Sequence, residues 1–128
     1  LAAIKALFNR LQNVNSIEFI LITSEVEEAL DYSYFDEYSI YRIIQEFTNN
    51  SIKYSSCNEV SCEIDYKDDE LKIIIQDNGK GFDLATAEIG NGLNTMKKRA
   101  SELKGNFNIE ASEKGTKIYL SLPSQNEV

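Results

Sequence analysis

Ser39-Ile40-Tyr41-Arg42-Ile43-Ile44-Gln45-Glu46-Phe47-Thr48-Asn49-Asn50-Ser51-Ile52-Lys53-Tyr54-Ser55 reads as one amphipathic helix. At about 100° per residue, Ile40, Ile43, Ile44 and Phe47 gather on one side. Tyr54 lies at the edge of that side, and Tyr41 and Ile52 widen the apolar arc. The remaining arc carries Glu46, Asn50 and Lys53, at i, i+4 and i+7, with Asn49 beside them. That spacing stacks the three side chains along one ridge. A carboxylate, a neutral amide and an ammonium in a row can hold a base, a metal ligand and a phosphate contact. An ordinary solvated Glu/Lys face gives the same pattern. Ser39 is a fair N-cap for this helix.

Upstream, Leu1 to Asn13 reads as a helix, with Leu1, Ile4, Leu7, Phe8 and Leu11 on one stripe. Asn13 to Ser16 breaks it. Ile17 to Thr23 reads as a strand that is apolar on both faces after Glu18. Ser24 to Tyr38 mixes acidic and aromatic residues and fits a loop with a short helical turn around Glu25 to Leu30.

Downstream, Val60, Cys62, Ile64 and Tyr66 alternate with polar residues over Asn58 to Lys67, the pattern of a strand with one wet face. Asp68-Asp69 turns the chain, and Leu71 to Gln76 forms a more buried strand, so the two pair as a hairpin. Asp77 to Ile89 is a loop. Gly90-Asn91-Gly92 then opens a helix over Leu93 to Lys104, with Gly105 placed as its C′ stop. Phe107, Ile109 and Ala111 alternate in a strand. Glu113-Lys114-Gly115 turns, and Ile118, Leu120 and Leu122 alternate in a last strand that Pro123 ends. Residues 124–128 form a polar, frayed tail. About five strands and three main helices, with hairpin-linked strands, imply an α/β (α+β) two-layer sandwich. Its sheet is mixed and mostly antiparallel, with the helices on one face.

The 128 residues make one domain, read here as 1–128, and at that size roughly two thirds of the unfolded surface can be buried. Apolar residues are 42% and charged residues 27%, an ordinary globular balance with no low-complexity segment. The formal net charge of -8 repels nucleic acid and anionic membrane, so neither is an expected partner. An anionic substrate would need local positive charge or a divalent cation. The chain starts at Leu1 without a methionine and reads as a piece of something longer. Cys57 and Cys62, spaced C-x4-C with no second pair and no histidine, do not suggest zinc; they read as reduced thiols of a cytoplasmic protein. No apolar run is long enough to span a bilayer. With no histidine, the chain cannot itself carry a phosphohistidine.

Three further stretches carry chemistry. Asp77-Asn78-Gly79-Lys80-Gly81-Phe82 follows the buried strand directly. Asn-Gly favours a hairpin turn, but Phe82 to Ala87 is no returning strand. The stretch therefore reads as a strand end that presents Asp77, followed by two glycines that let a flat ligand approach the backbone. A buried carboxylate there can accept from an exocyclic amine such as that of adenine. Gly90-Asn91-Gly92 lacks the full dinucleotide fingerprint and is no Walker-type loop, yet a glycine-bearing helix N-terminus is a phosphate seat. A flexible hinge before a surface helix is the alternative. Gly115-Thr116 reads as a hairpin turn, or as a hydroxyl on the sheet floor under a base.

E-F-T-N-N-S-I-K, D-N-G-K-G-F, G-N-G-L-N-T-M-K-K-R-A and G-T-K-I-Y-L-S-L-P occur in that order. The set resembles the ATP-binding catalytic domain of bacterial two-component sensor histidine kinases, within the superfamily of DNA gyrase, mismatch-repair and heat-shock chaperone ATPases. The resemblance is dense from Tyr41 to Pro123 and implies the Bergerat-type ATP-binding fold. It implies ATP and Mg2+ as cofactors. Asn50 would be the metal ligand, Glu46 would activate water or the acceptor, and Lys53 would contact a phosphate. Asp77 would bind the adenine amine in a pocket shaped by Gly79 and Gly81. Gly90 and Gly92 would lie at the hinge of the ATP lid, with Leu93 also cofactor-binding, and Thr116 would support the adenine side. Tyr54 stands where many relatives have histidine, and the stretch between Asp77 and the second glycine box lacks a phenylalanine-rich box.

The implied activity is transfer of the γ-phosphoryl group from Mg-ATP to a histidine. That histidine lies on a dimerisation and histidine-phosphotransfer domain of the same protein, and a response regulator is the next partner. Such a domain is cytoplasmic, in a parent that is either soluble or membrane-anchored. An anti-sigma-type serine kinase that works by partner switching has similar boxes. A chaperone or clamp ATPase fits the small size less well, and a nucleotide sensor without catalysis is compatible with all of these residues.

Overall fold

A computed structural model describes residues 2–24 and 34–123. The order of elements is α1 (Ala2–Val14), β1 (Glu18–Ser24), α2 (Tyr34–Asn50) running into a π-helical turn (Ser51–Ser55), β2 (Glu59–Lys67), β3 (Glu70–Asp77), α3 (Ala87–Glu102), β4 (Asn106–Ser112) and β5 (Gly115–Pro123). The strands form one sheet in the order β1-β2-β3-β5-β4. β1 runs parallel to β2, with α2 as the crossover; every other pair is antiparallel. The three helices cover one face of this sheet, as the strand patterns imply.

Alternation decides which strand face is covered. Val60, Cys62 and Ile64 on β2, Leu71, Ile73 and Ile75 on β3, and Ile118, Leu120 and Leu122 on β5 all point into the helical layer and are almost fully buried. Register aligns them: Cys62 faces Ile75, and Ile75 faces Ile118. Helix α2 contributes Ile40, Ile43, Ile44 and Phe47 to the same core, α3 contributes Ile89, Leu93, Met96 and Ala100, and α1 contributes Ile4, Leu7 and Phe8. Phe8 meets Phe19 of β1 edge-on at 5.7 Å. Burying one such side chain is worth about 1.5–3 kcal/mol, so this seam supplies most of the favourable energy of the fold.

Four expectations need correction. Helix α2 begins at Tyr34 rather than Ser39, and Ser39 is fully buried inside it, not capping it. Glu37 falls in the first turn of this helix, where an acid suits the helix dipole. Residues 25–30, expected to form a short turn, lie outside the described residues. Strand β1 is apolar on both faces in sequence, but only Phe19 is buried. Ile22 is half exposed, because this edge strand has helices on one side only. Helix α3 starts at Ala87, so Gly90-Asn91-Gly92 lies inside it and does not open it. Finally, the left-handed residue that ends α3 is Lys104, at φ 58°, and not Gly105. The Lys104 and Gly105 amides donate to the Ser101 and Ala100 carbonyls, each at 2.9 Å, which closes a Schellman motif. Gly105 is needed for space: an added Cβ would run into Leu122 and the Ser121 carbonyl.

Candidate functional site

The polar ridge of α2 and the end of β3 meet at Ser51. Phe47 and Ser51 are one turn apart, so the serine continues the buried side of the helix and not its wet side. Its hydroxyl donates to Asp77 Oδ2 at 2.7 Å, in a fully buried contact. The other carboxylate oxygen, Oδ1, accepts from the amides of Gly79 at 3.0 Å and Thr116 at 3.3 Å. Asp77 is therefore buried at the last position of β3 with three hydrogen bonds that hold its plane. Oδ2 takes one of these bonds and Oδ1 two, which leaves a lone pair on Oδ2 that can accept from a ligand N–H.

The loop after Asp77 is clamped from two sides. The Lys80 amide donates to the Ser55 carbonyl at 2.8 Å. Gly79 lies directly under that carbonyl, where an added Cβ would collide with it. Gly81 has φ 83°, in the left-handed region, and passes the Ser112 carbonyl too closely for a side chain. The loop's next residue, Phe82, is buried. Its amide donates to Thr116 Oγ1 at 2.8 Å, and its ring packs on Phe47 at 5.4 Å between centroids. Thr116 thus touches both Asp77, through its amide, and the loop, through its hydroxyl. On the far side Asn78 Oδ1 accepts from the Asn58 and Glu59 amides at 3.0 Å, tying the loop to the start of β2.

Asn50 precedes Ser51 and is only 6% exposed, and among the described residues its Nδ2 has no hydrogen-bond partner. Buried amides are normally paired, so this group is poised to take a ligand as its partner. Amide oxygen and nitrogen exchange by a flip, so the same side chain can offer a ligating oxygen. One turn back, Glu46 is half-buried, and its carboxylate lies against Gly92 of α3; a Cβ on that glycine would sit 3.1 Å from Glu46 Cδ and 3.2 Å from Oε1. Lys53 is exposed and lies in the π-helical turn. That turn has i→i+5 hydrogen bonds and is wider than an α-helical one, so the i, i+7 spacing from Glu46 no longer stacks Lys53 on the ridge by itself.

Among the described residues no group of three His, Cys, Asp or Glu side chains could hold a metal. One amide with a carboxylate a turn away suits an ion that arrives on its ligand and keeps most of its waters, as Mg2+ does.

Helix α3 meets this ridge directly. Tyr54 donates to Glu88 Oε2 at 2.8 Å, and that hydrogen bond, ahead of the nearby carboxylate charges, raises the Tyr54 phenol above its ordinary value. The Gly90 amide donates to the Thr86 carbonyl at 2.9 Å. The expected phosphate seat at Gly90 to Gly92 is therefore not a free helix N-terminus: the Gly90 N–H is spent inside the helix. Leu93, one residue on, is buried in the core. Gly92 thus faces Glu46 on the ridge of α2, whereas the nearest atom to a Cβ on Gly90 is the Leu84 carbonyl oxygen at 4.0 Å.

Ser51, Ser55 and the Tyr54–Glu88 pair were not evident as site residues from sequence. A signal for Ser51 was present: it sits one turn beyond Phe47 on the apolar side of the wheel, where a hydroxyl needs a buried acceptor.

A family model described as histidine kinase-, DNA gyrase B- and HSP90-like ATPase matches residues 35–126. The sensor protein VraS of Staphylococcus aureus is 38% identical over 90 residues, covering 69% of this chain and 26% of that protein. The sensor histidine kinase LiaS of Bacillus subtilis is 36% identical over 86 residues, covering 66% of this chain and 24% of that protein. The chain thus spans about a quarter of the length of these relatives. Among solved structures, the histidine kinase domain from the Erythrobacter litoralis EL346 blue-light activated histidine kinase superposes with a TM-score of 0.75 at 14% identity, over 93% of this chain and 57% of that one. At that identity the likeness is one of fold.

Proposed function

Because the chain belongs to the histidine kinase-, DNA gyrase B- and HSP90-like ATPase family, we propose that it binds Mg-ATP and is the phosphoryl-donating domain of a two-component sensor kinase. The observation that carries this reading is the Ser51–Asp77 contact, which joins a buried carboxylate to the residue next to the Asn50 amide, whose nitrogen has no partner among the described residues. A base reader and a phosphate-end group on adjoining positions are what one nucleotide requires.

In this reading Asp77 accepts from the adenine amine, and Gly79, Gly81 and Thr116 shape the floor beneath the base. Asn50 would hold Mg2+, which would offset the charge of the phosphates. Glu46 orients the acceptor, Lys53 offsets phosphate charge, and Gly90, Gly92 and Leu93 border the phosphate end. Bound Mg-ATP supplies the γ-phosphoryl group. The chain's own work is positioning and charge compensation, which is most of what phosphoryl transfer asks of a protein. The acceptor is a histidine on a dimerisation domain outside this chain, which itself has none, and a response regulator takes the group next. The similarity to VraS and LiaS, a sensor protein and a sensor histidine kinase by name, favours histidine over serine as acceptor.

The test pairs calorimetry with phosphotransfer. The chain should bind Mg-ATP, and with the acceptor domain supplied it should form acid-labile phosphohistidine. Asn50→Ala should abolish that product and leave the circular dichroism spectrum unchanged. Full transfer by the variant would remove Asn50 from the metal site, and absence of ATP binding by the native chain would overturn the reading.

A further inference from the structure

The strongest feature that the proposed roles do not use is Ser51. It is fully buried, and its hydroxyl points at Asp77 Oδ2, not at a backbone carbonyl. Its own carbonyl accepts from the Ser55 hydroxyl at 2.7 Å, and Ser55 in turn accepts from the Cys57 amide at 3.2 Å. The π-helical turn Ser51–Ser55 is thereby fastened at both ends. At its start Ser51 meets Asp77, and at its end the Ser55 carbonyl receives Lys80 N–H. One turn of helix so spans the whole loop on which the base would rest.

We infer that Ser51 is a positioning residue that fixes the Asp77 carboxylate for reading an N–H donor on the ligand base. The inference rests on the proposed nucleotide site and goes beyond it in naming what sets its base selectivity. Each carboxylate oxygen has about two acceptor sites. Oδ1 fills its sites with the Gly79 and Thr116 amides. Oδ2 gives one site to Ser51 and keeps one, so a single acceptor direction is left for a ligand. An ionised carboxylate accepts at both oxygens and cannot donate. A base with an N–H at that point is accepted, and one with a carbonyl there meets two opposed acceptors. Without the serine hydroxyl, Oδ2 regains a second direction and the carboxylate is held at one oxygen only. The ligand bond then loses its preset geometry, although the fold keeps its apolar contacts. Because Ser51 adjoins Asn50, the same turn sets the distance between the base end and the phosphate end of the site.

The experiment measures affinity of the full chain for Mg-ATP and for the Mg complex of purine riboside triphosphate, which lacks only the 6-amino group. The ratio of the two is the readout, since a merely structural role would move both affinities together. The native chain should prefer ATP. Ser51→Ala should cut that preference about tenfold, the scale of one hydrogen bond to a charged group. Asp77→Asn should cut it too, and adding Ser51→Ala to Asp77→Asn should change it no further. Ser51→Cys, which keeps a weaker donor in a somewhat larger group, gives an independent value and should fall between the native chain and Ser51→Ala. A native preference that survives intact in Ser51→Ala or Ser51→Cys overturns the inference alone, as does a full additive loss in the double variant. No preference in the native chain overturns both the inference and the base site.

Discussion

Cys62 shows what burial does to a single side chain in this core. It lies mid-strand in β2, opposite Ile75, and burial, with a smaller contribution from the Glu63 charge, pushes its thiol up to about 12. Cys57, half-buried at the end of the π-helical turn, is also raised, chiefly by burial. Thiolate is the reactive form, so both are poor nucleophiles at neutral pH. At pH 8, iodoacetamide should modify Cys57 slowly and Cys62 only after unfolding, as mass spectrometry of peptides will show. The linkage sign follows. A folded value above the unfolded one stabilises the fold fully below about pH 9 and is lost as pH rises through about 12. Cys62→Ala should therefore flatten the alkaline limb of the stability curve. Rapid labelling of both thiols in the folded chain would contradict this picture. Residue-scale chemistry was partly legible in the sequence. Asp77 was visible because strand alternation ends on it, and Thr116 because a β-branched hydroxyl begins a buried strand. The partner that orients Asp77 was not visible, because Ser51 and Asp77 are 26 positions apart and meet only when α2 lies across the sheet.

At the scale of elements, strands were easier to read than helix ends. Period-two alternation located β2, β3, β4 and β5 within a residue or two, since one wet face and one dry face leave a pattern that a slip would invert. Helix starts left weaker marks. Ser39 looked like a cap but is buried in α2, and the glycines that seemed to open α3 lie within it. That misplacement is itself informative. Gly90 has no backbone need of glycine in this structure: its φ is not left-handed, and the nearest atom to an added Cβ is the Leu84 carbonyl oxygen at 4.0 Å. A helical glycine with free space costs roughly 0.5–1 kcal/mol relative to alanine. Gly90→Ala should raise stability in denaturant titration by about that amount. If α3's first turns must loosen to admit a triphosphate, the same variant should weaken Mg-ATP binding by up to about fivefold, the equivalent of that energy. A gain in stability with no loss of affinity would show that these turns stay helical with nucleotide bound. The Tyr54–Glu88 bond is the contact that such loosening must break.

Across the whole molecule, the charge distribution sets how an anion reaches the site. The chain carries 21 acidic and 13 basic side chains; Lys53 lies in the π-helical turn beyond the ridge and Lys80 in the loop after Asp77. The core explains the fold without these charges: its apolar seam joins α1, α2 and α3 to the sheet, and among the described residues only one ion pair is present, between exposed Lys72 and Glu70 at 4.0 Å. Net charge bears on the approach of charged ligands, besides its self-repulsion within the fold. Free ATP is a polyanion that approaches a like-charged surface, whereas Mg2+ cancels two of its charges and, in the proposed site, would give Asn50 an ion to hold. Chelating Mg2+ with EDTA should lower affinity at least about tenfold, of which long-range repulsion is the salt-dependent part. Raising ionic strength shortens the screening distance from about 30 Å at 0.01 M to about 8 Å at 0.15 M. Over that range free ATP should associate faster, while Mg-ATP changes little, as stopped-flow measurements with a fluorescent nucleotide will resolve. The opposite slope, slower association of free ATP with added salt, would mean that Lys53 and Lys80 outweigh the surrounding carboxylates at the mouth of the site. The protein would then attract the triphosphate by local charge and would not depend on the metal for its approach.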